Sequence, residues 1–297
     1  MKELAPEILQ GAIDLHVHTA PSHFARSLDD FEITNDMDQH GMAGCVIKSH
    51  YMPTTARAIV ANKHAGCKST LYGAVTMDWT VGGLNPYAAE SDLLLGGKIV
   101  WLPTFHAASH MANEERKSKA GQEAGTLPGS GRQPVMAPPI HLLDEKGKIK
   151  SAVLDIMDVV KKYDATLGTG HVTYEEALGV CQEGEKRGVR ILVTHPDSKR
   201  ENFSVEQQAN LIRCGAMLEK CWLNICTGAL SAKEMALQIT ELGPEHCALT
   251  TDFGQASNPS PAKGLLDFID ALLEEGLSSK DIITMCRVNP RIVLNLH

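Results

Sequence analysis

The sequence predicts an α/β protein and, within that class, a single-domain (β/α)8 TIM barrel spanning residues 1–297. Three observations lead to this prediction. Eight short apolar runs recur along the chain, most of them begin roughly 25 to 30 residues apart, and helical patterns lie between them. Each interval therefore has room for one strand, one helix and two loops, as such a barrel requires.

The eight predicted strands are short and rich in apolar and β-branched residues. The first covers 12–18, where apolar and polar residues alternate with the period of two that is typical of a strand. The remaining predicted strands are 43–48, 71–76, 98–103, 165–171, 189–195, 221–226 and 247–252.

Helix start signals occur between these runs. Capping boxes begin at Thr173, Ser204 and Ser231, each of which is followed three residues later by Glu or Gln. Pro53 and Pro261 open two further helical segments. The alternative fold, an open doubly wound sheet, is disfavoured because no GxGxxG motif follows the first strand.

One interval is much longer than the others, since about sixty residues separate the fourth and fifth predicted strands. This insertion covers roughly 107–150 and contains KSKAGQEAGTLPGSGRQPVMAPP, whose Gly, Pro and Ser content predicts a loop. The following IHLLDEKGKI predicts a hairpin around Lys146 and Gly147. Because the insertion follows the carboxyl end of a barrel strand, we predict a lid over the active face, with plain disorder as the alternative.

Composition narrows the class of function. The chain is 43% hydrophobic and 22% charged, with a net charge of -8 and no long basic run, which argues against nucleic acid or a membrane surface as partner. It has no run of about 18 apolar residues, no apolar signal region near its start, and eight cysteines without a CxxC pair. We therefore expect a cytoplasmic homo-oligomer that acts on a small molecule.

The stretch IDLHVHTAPSH places His16 and His18 one residue apart at the end of the first predicted strand. Alternate side chains of a strand point to one face, so both imidazoles point the same way, with Asp14 below them. Two imidazoles at this spacing can bind one cation at roughly 2.0–2.1 Å. The pair alone also fits two polar residues on a half-exposed strand.

Further polar residues stand where the other predicted strands end. A barrel gathers the carboxyl ends of its strands into one ring, so these side chains converge on one mouth. A histidine satisfied in the core or a loop is the alternative at each position. The residues are Lys48 and His50 after the second strand, His106 and His110 after the fourth, His171 after the fifth, His195 after the sixth and Asp252 after the eighth.

This order resembles the amidohydrolase superfamily of metal-dependent hydrolases. The matching stretches are IDLHVHTAPS, TGHVTYEEAL, ILVTHPD and LTTDFGQ, and the early HxH is most similar to compact members without an extra β-sandwich domain. The resemblance implies that His16, His18 and Asp252 hold the more buried divalent metal. It implies that His171 and His195 hold a second metal, or that one of them contacts substrate in a one-metal site. Zinc is the expected ion, with manganese, iron or nickel as alternatives.

The resemblance also implies a hydrolase of a small-molecule amide, cyclic amide or lactone. Asp252 would take a proton from a water made acidic by the metal and pass it to the leaving group, and His195 is the second expected catalytic residue. One alternative is a phosphoesterase of the polymerase-and-histidinol-phosphatase type, although Asp252-Phe253-Gly254 replaces its usual closing Asp-x-His. A decarboxylase on the same fold and a non-catalytic binding barrel are the others.

The chain departs from the family on the fourth strand. Two-metal members usually carry a carboxylated lysine or a glutamate there, whereas this strand ends WLPTFH. Lys48 on the second strand is the nearest candidate, because burial beside metals disfavours its ammonium form. A salt-bridging or substrate-binding lysine is the alternative.

Several residues after strand ends are candidates for substrate binding rather than for metal binding. A guanidinium or a phenol there suits a substrate carboxylate or carbonyl. Asp197, in THPDSKR, is expected to orient His195 or to cap the next helix. The predicted substrate-binding residues are His50, His106, Tyr51, Arg57 and Arg26.

Overall fold

The computed structural model describes residues 4–119 and 137–296, in which parallel strands alternate with helices. Gly73 separates two short strands that share one position in the barrel, and a Cβ there would lie 2.1 Å from the Cα of Thr55, so only glycine fits. The strands are β1 Ile13–Val17, β2 Gly44–Ile47, β3 Thr70–Tyr72, β4 Ala74–Thr76, β5 Ile99–Trp101, β6 Thr166–Gly168, β7 Arg190–Val193, β8 Met217–Cys221 and β9 Cys247–Thr250.

The strands form two parallel ladders, in the orders β1-β2-β3 and β4-β5-β6-β7-β8-β9. Backbone hydrogen bonds join the first strand to the segment after the last: Asp252 N donates to His16 O at 3.0 Å, and His18 N donates to Phe253 O at 2.8 Å. With β3 and β4 counted as one position, the order is that of the predicted (β/α)8 barrel.

Helices cover the outside of the strands. Three of them start with the predicted capping boxes at Thr173, Ser204 and Ser231. The helices are α1 Ala5–Leu9, α2 Asp30–Gln39, α3 Thr55–His64, α4 Pro86–Leu94, α5 Ala108–Lys119, α6 Ser151–Lys162, α7 Tyr174–Arg187, α8 Val205–Arg213, α9 Trp222–Cys226, α10 Ala232–Leu242, α11 Pro261–Glu274, α12 Ser279–Ile283 and α13 Asn289–Leu294.

The prediction of a strand at 221–226 is wrong. The strand is Met217–Cys221, and the apolar run that follows forms the short helix α9. Glu219 and Lys220 interrupt the apolar pattern of the true strand, yet both are fully buried because each has polar partners inside the fold. Strand formation here is decided by tertiary contacts rather than by intrinsic propensity.

The insertion is anchored at both of its described ends. Ile140 N donates to His106 O at 2.8 Å, and Ala108 N donates to Ile140 O at 2.9 Å. The predicted hairpin is confirmed by an antiparallel bridge between Leu143 and Ile149 around Gly147, whose φ is 72°. Residues 120–136 lie outside the described residues, so the lid stays a prediction.

The core has two layers. A large apolar cluster fills the space between strands and helices, and a smaller one, which includes Leu15, Ile99 and Leu192, fills the barrel interior. Trp101 belongs to the inner cluster and is fully buried, with its ring 5.6 Å from that of His16. It therefore separates the barrel interior from the polar groups at the strand ends. None of the described helices has the length and hydropathy needed to cross a membrane.

Candidate functional site

A cavity of about 370 Å³ opens at the carboxyl ends of the barrel strands. Polar and aromatic side chains from at least four strand ends line it. The lining residues are His16, His18, Phe24, Ala25, Arg26, His50, Phe105, His171, His195, Arg200, Asp252 and Gln255.

Three predicted metal ligands converge at this cavity. Asp252 Oδ1 lies 3.2 Å from His16 Nε2 and 3.1 Å from His18 Nε2. All three donor atoms lie within 4.8 Å of one another, and both histidines are buried. Burial opposes ionisation of Asp252, but the nearby His16 and His18 outweigh it and hold the pKa of this carboxyl well below its usual range.

The Nδ1 atoms of His16 and His18 form hydrogen bonds with other parts of the protein. His16 Nδ1 donates to Glu219 Oε1 at 3.1 Å, and His18 Nδ1 donates to the Lys48 carbonyl at 2.9 Å. Burial, followed by the nearby Arg26, lowers the pKa of His18 to about 3, so its Nε2 carries a lone pair. Lone pairs facing a carboxylate repel unless a cation lies between them, so this donor set fits a metal ion.

Lys48 lies beneath the three ligands. Its Nζ is 3.1 Å from His16 Nε2 and 4.7 Å from the centre of the Trp101 ring. Only 2% of the residue is exposed, and burial lowers the pKa of its amine, although Glu219 and Asp252 offset part of that effect. The lysine is therefore placed against the predicted metal ligands and is not part of the cavity lining.

His171 and His195 form a second pair on the cavity wall, with ring centres 4.9 Å apart. His195 Nδ1 is 3.2 Å from Glu201 Oε2, and His171 Nδ1 is 2.9 Å from His110 Nδ1. Neither belongs to the tight donor cluster of His16, His18 and Asp252 found among the described residues. The structure thus brings five of the six predicted ligands into the lining of one cavity, in two groups, and leaves Lys48 outside that lining.

The two predicted catalytic residues share an unusual backbone. Asp252 has a φ of 54° and His195 a φ of 27°, in the left-handed region that non-glycine residues rarely adopt. Such conformations cost of order 1–3 kcal/mol and concentrate at functional sites. The strain lies where the two side chains turn from their strands toward the cavity.

His50 is held in one tautomer by a hydrogen-bonded chain. The Thr104 hydroxyl donates to Asp78 Oδ2 at 2.6 Å, so its oxygen accepts the hydrogen of His50 Nδ1 at 2.8 Å. Burial, followed by His18, lowers the pKa of His50 well below its usual value, which keeps the ring neutral. His50 therefore offers Nε2 as an acceptor, with its ring stacked 3.9 Å from Phe105.

Two other predicted substrate contacts lie at or near the cavity. Arg26 lines it, and its Nε donates to Ser22 Oγ at 3.3 Å. Tyr51 packs its ring 4.1 Å from that of His23 and 5.9 Å from that of Phe105. Burial raises the pKa of Tyr51 to about 12, so its hydroxyl stays protonated.

The remaining two predicted contacts lie away from the cavity lining. His106 Nδ1 is 3.4 Å from Asp78 Oδ1. Arg57 forms a two-pronged ion pair with Asp30, at 2.8 Å for each contact, and donates to the Thr19 hydroxyl. Arg57 therefore braces the loop after β1, and nothing places it against a ligand.

The model of a protein family matches residues 11–219, which is more than half of the chain. The chain belongs to the Family of unknown function (DUF6282). The matched region includes His16, His18, Lys48, His171 and His195, and Asp252 follows it. No curated protein matches this DUF6282 chain.

Solved structures of the same fold cover nearly all of the DUF6282 chain. An amidohydrolase from Pseudomonas aeruginosa is 12% identical with a TM-score of 0.61, covering 99% of this chain and 98% of that one. A β-aspartyl dipeptidase from Fervidobacterium islandicum is 16% identical with a TM-score of 0.63, covering 97% and 73%. A probable 2-pyrone-4,6-dicarboxylic acid hydrolase from Acinetobacter baumannii, with citric acid bound, is 10% identical with a TM-score of 0.61, covering 97% and 100%. The resemblance to the amidohydrolase superfamily is thereby confirmed at the level of the fold.

Glu219 of this DUF6282 chain was not predicted from the sequence, yet it connects His16 with His195. One of its oxygens accepts from His16 Nδ1 and the other from the His195 backbone N, at 3.1 and 3.0 Å. The sequence signal for Glu219 is the charged pair Glu219-Lys220 within a segment of strand length. Placing the seventh strand at 221–226 left this pair outside the strand, so Glu219 was not predicted to face the site.

The expectation for Asp197 is wrong. Its carboxylate pairs with Lys220 at 2.9 Å and accepts from Gln208 at 2.8 Å. Glu201 orients His195 instead. Burial opposes ionisation of Glu201, but His195 and Arg200 outweigh it and lower the pKa of this carboxyl to about 2. Both carboxylates lie in the loop after β7, so their assignment required knowing how that loop turns.

Proposed function

We propose that this protein is a metal-dependent hydrolase that cleaves an amide, cyclic amide or lactone bond in a small molecule. The observation that carries the proposal is the convergence of His16, His18 and Asp252 at one end of a cavity. Proteins of the same fold named amidohydrolase, β-aspartyl dipeptidase and 2-pyrone-4,6-dicarboxylic acid hydrolase support a reaction at a C–N or ester bond.

His16, His18 and Asp252 would hold the metal, and nitrogen and oxygen donors make zinc the default, with manganese, iron or nickel as alternatives. When bound, the metal would polarise a carbonyl group and make water at the site more acidic. His171 and His195 would bind a second ion or the substrate. Glu219 and the Lys48 carbonyl would keep the ligand rings oriented, as partners of metal-binding histidines usually do.

Asp252 carries the proton in the proposed reaction. Its carboxylate reaches the cavity, where it would accept a proton from the attacking water and then deliver it to the leaving nitrogen or oxygen. His195, whose Nδ1 is held by Glu201, would use its other ring nitrogen to position the water or the carbonyl. The neutral His50 would accept a hydrogen bond from the substrate through Nε2.

The first prediction is that the purified protein carries one or two equivalents of a divalent transition metal per chain. His18→Ala should lose most of it, because one of three ligands of the inner site is removed, whereas His246→Ala, at a half-exposed position, should not. Elemental analysis measures both, and a panel of amides, lactones and phosphate esters then tests turnover before and after chelation. Protein from metal-replete cells with less than about 0.2 equivalents, or full turnover after chelation, would rule out the proposed function.

The second prediction concerns Lys48. Since Nζ touches a ligand nitrogen and lies outside the cavity lining, we expect the neutral amine to react with carbon dioxide and lose a proton, and the resulting carbamate would help to hold a second ion. Lys48→Ala should then reduce the metal content toward one per chain, and formate or acetate should restore part of the activity. Lys63→Ala, on the exposed side of α3, is the matched control. Unchanged metal content with a raised KM would instead make Lys48 a substrate-binding cation.

A further inference from the structure

Arg26 presents an unused cationic group to the cavity. Its Nε donates to Ser22 Oγ, and its backbone forms an isolated bridge with Gln255. The next residue, Ser27, donates its backbone N–H to Gly254 O at 3.0 Å, which ties this loop to the segment after Asp252. Among residues 4–119 and 137–296, neither terminal nitrogen of the guanidinium has a hydrogen-bond partner.

The other arginine of the cavity is already neutralised. Arg200 Nε pairs with Glu201 Oε1 at 2.9 Å, and its Nη1 contacts His110 Nδ1 at 2.7 Å. The remaining carboxylate of the lining, Asp252, is committed to His16 and His18. Within the described lining, Arg26 is therefore the arginine whose charge lacks a carboxylate partner in hydrogen-bond contact.

A row of aromatic rings leads from Arg26 to the predicted metal ligands. The Arg26 guanidinium carbon lies 5.6 Å from the centre of the Phe24 ring, and Phe24 meets Phe105 edge-on at 5.4 Å. Phe105 stacks on His50, whose ring is 4.9 Å from that of His18. These rings therefore form an apolar surface between the free guanidinium and the predicted ligand cluster.

We propose that Arg26 binds a carboxylate of the substrate, which is thus a small organic acid whose apolar body lies against the aromatic rings. Two terminal N–H groups of one guanidinium match the two oxygens of a carboxylate. The cavity volume is in the range for a small ligand. Which bond of the substrate is cleaved rests on the proposed function, whereas binding of the carboxylate by Arg26 does not depend on it.

The test is calorimetric titration of the metal-containing protein with benzoate and with benzamide, its uncharged analogue of similar shape. Arg26→Met should weaken benzoate binding by about tenfold or more and leave benzamide binding unchanged, because a charge-assisted contact is lost. Arg213→Met, which removes the same charge from an exposed position on α8, should change neither. Arg26→Lys should bind benzoate with intermediate affinity, and thermal melts check that the variants are folded.

Each other outcome decides against part of the proposal. Benzoate binding that is abolished by chelation but insensitive to Arg26→Met would mean that the carboxylate binds the metal ion, which would overturn the Arg26 subsite. Tighter, Arg26-dependent binding of phenyl phosphate would make it a phosphate subsite, and no benzoate binding would remove it altogether. Arg26-dependent benzoate binding in protein that never contains metal would leave the subsite standing while the proposed function fails.

Discussion

Asp252→Asn should lower kcat by roughly 10²–10⁴-fold while the protein stays folded, because a proton carrier in the reaction is lost. The amide has nearly the shape of the carboxylate and retains an oxygen for the cation, so part of the metal content should remain. The amide of the asparagine cannot accept the proton of the attacking water at neutral pH. The measurement is kcat on whichever amide or lactone the panel identifies, together with metal content and a thermal melt.

The control for this variant is Asp155→Asn, which makes the same chemical change at an exposed position on α6. It should leave kcat and metal content unchanged. If Asp252→Asn turns over substrate at a near-normal rate, Asp252 is only a ligand. The proton must then travel through another group, of which His195 and His50 are the nearest candidates in the cavity lining.

Lys220→Met should lower the free energy of unfolding by about 3–5 kcal/mol, because it leaves a buried carboxylate without its cation. Lys220 Nζ is fully buried and contacts Asp197 Oδ2 at 2.9 Å and Gln208 Oε1 at 2.7 Å. These contacts join β8 to the loop after β7 and to α8, which together carry Glu219, His195 and Glu201. Urea denaturation of the two proteins measures the change.

Two comparisons separate a buried charge from lost packing. Lys263→Met breaks an exposed ion pair with Asp267 on α11 and should cost less than about 1 kcal/mol. The double variant Lys220→Met with Asp197→Leu should regain part of the loss, since no uncompensated charge remains inside. A cost below about 1 kcal/mol for Lys220→Met alone would mean that water reaches Asp197 or that its surroundings rearrange.

The predicted ligands were accessible from sequence because they obey local rules. The period of two in 12–18 places His16 and His18 on one face, and parallel strands bring residues that follow strand ends to the same edge. That reasoning also led to His171, His195 and Asp252, since each directly follows an apolar run. Capping boxes located three helices for the same reason: the hydrogen bonds involved span only three residues.

The partners of those ligands could not be read from sequence, because they lie far away along the chain. Glu219 reaches His16 across 203 positions, and Asp78 orients His50 only through Thr104. Glu201 and Asp197 lie in one loop. The conformation of that loop places Glu201 against His195 and Asp197 against Lys220. The sequence by itself determined the barrel and the residue types at its mouth. Tertiary packing decided the seventh strand, the tautomers of His18 and His50 and the free guanidinium of Arg26, since burial and hydrogen bonding between distant segments set all of them.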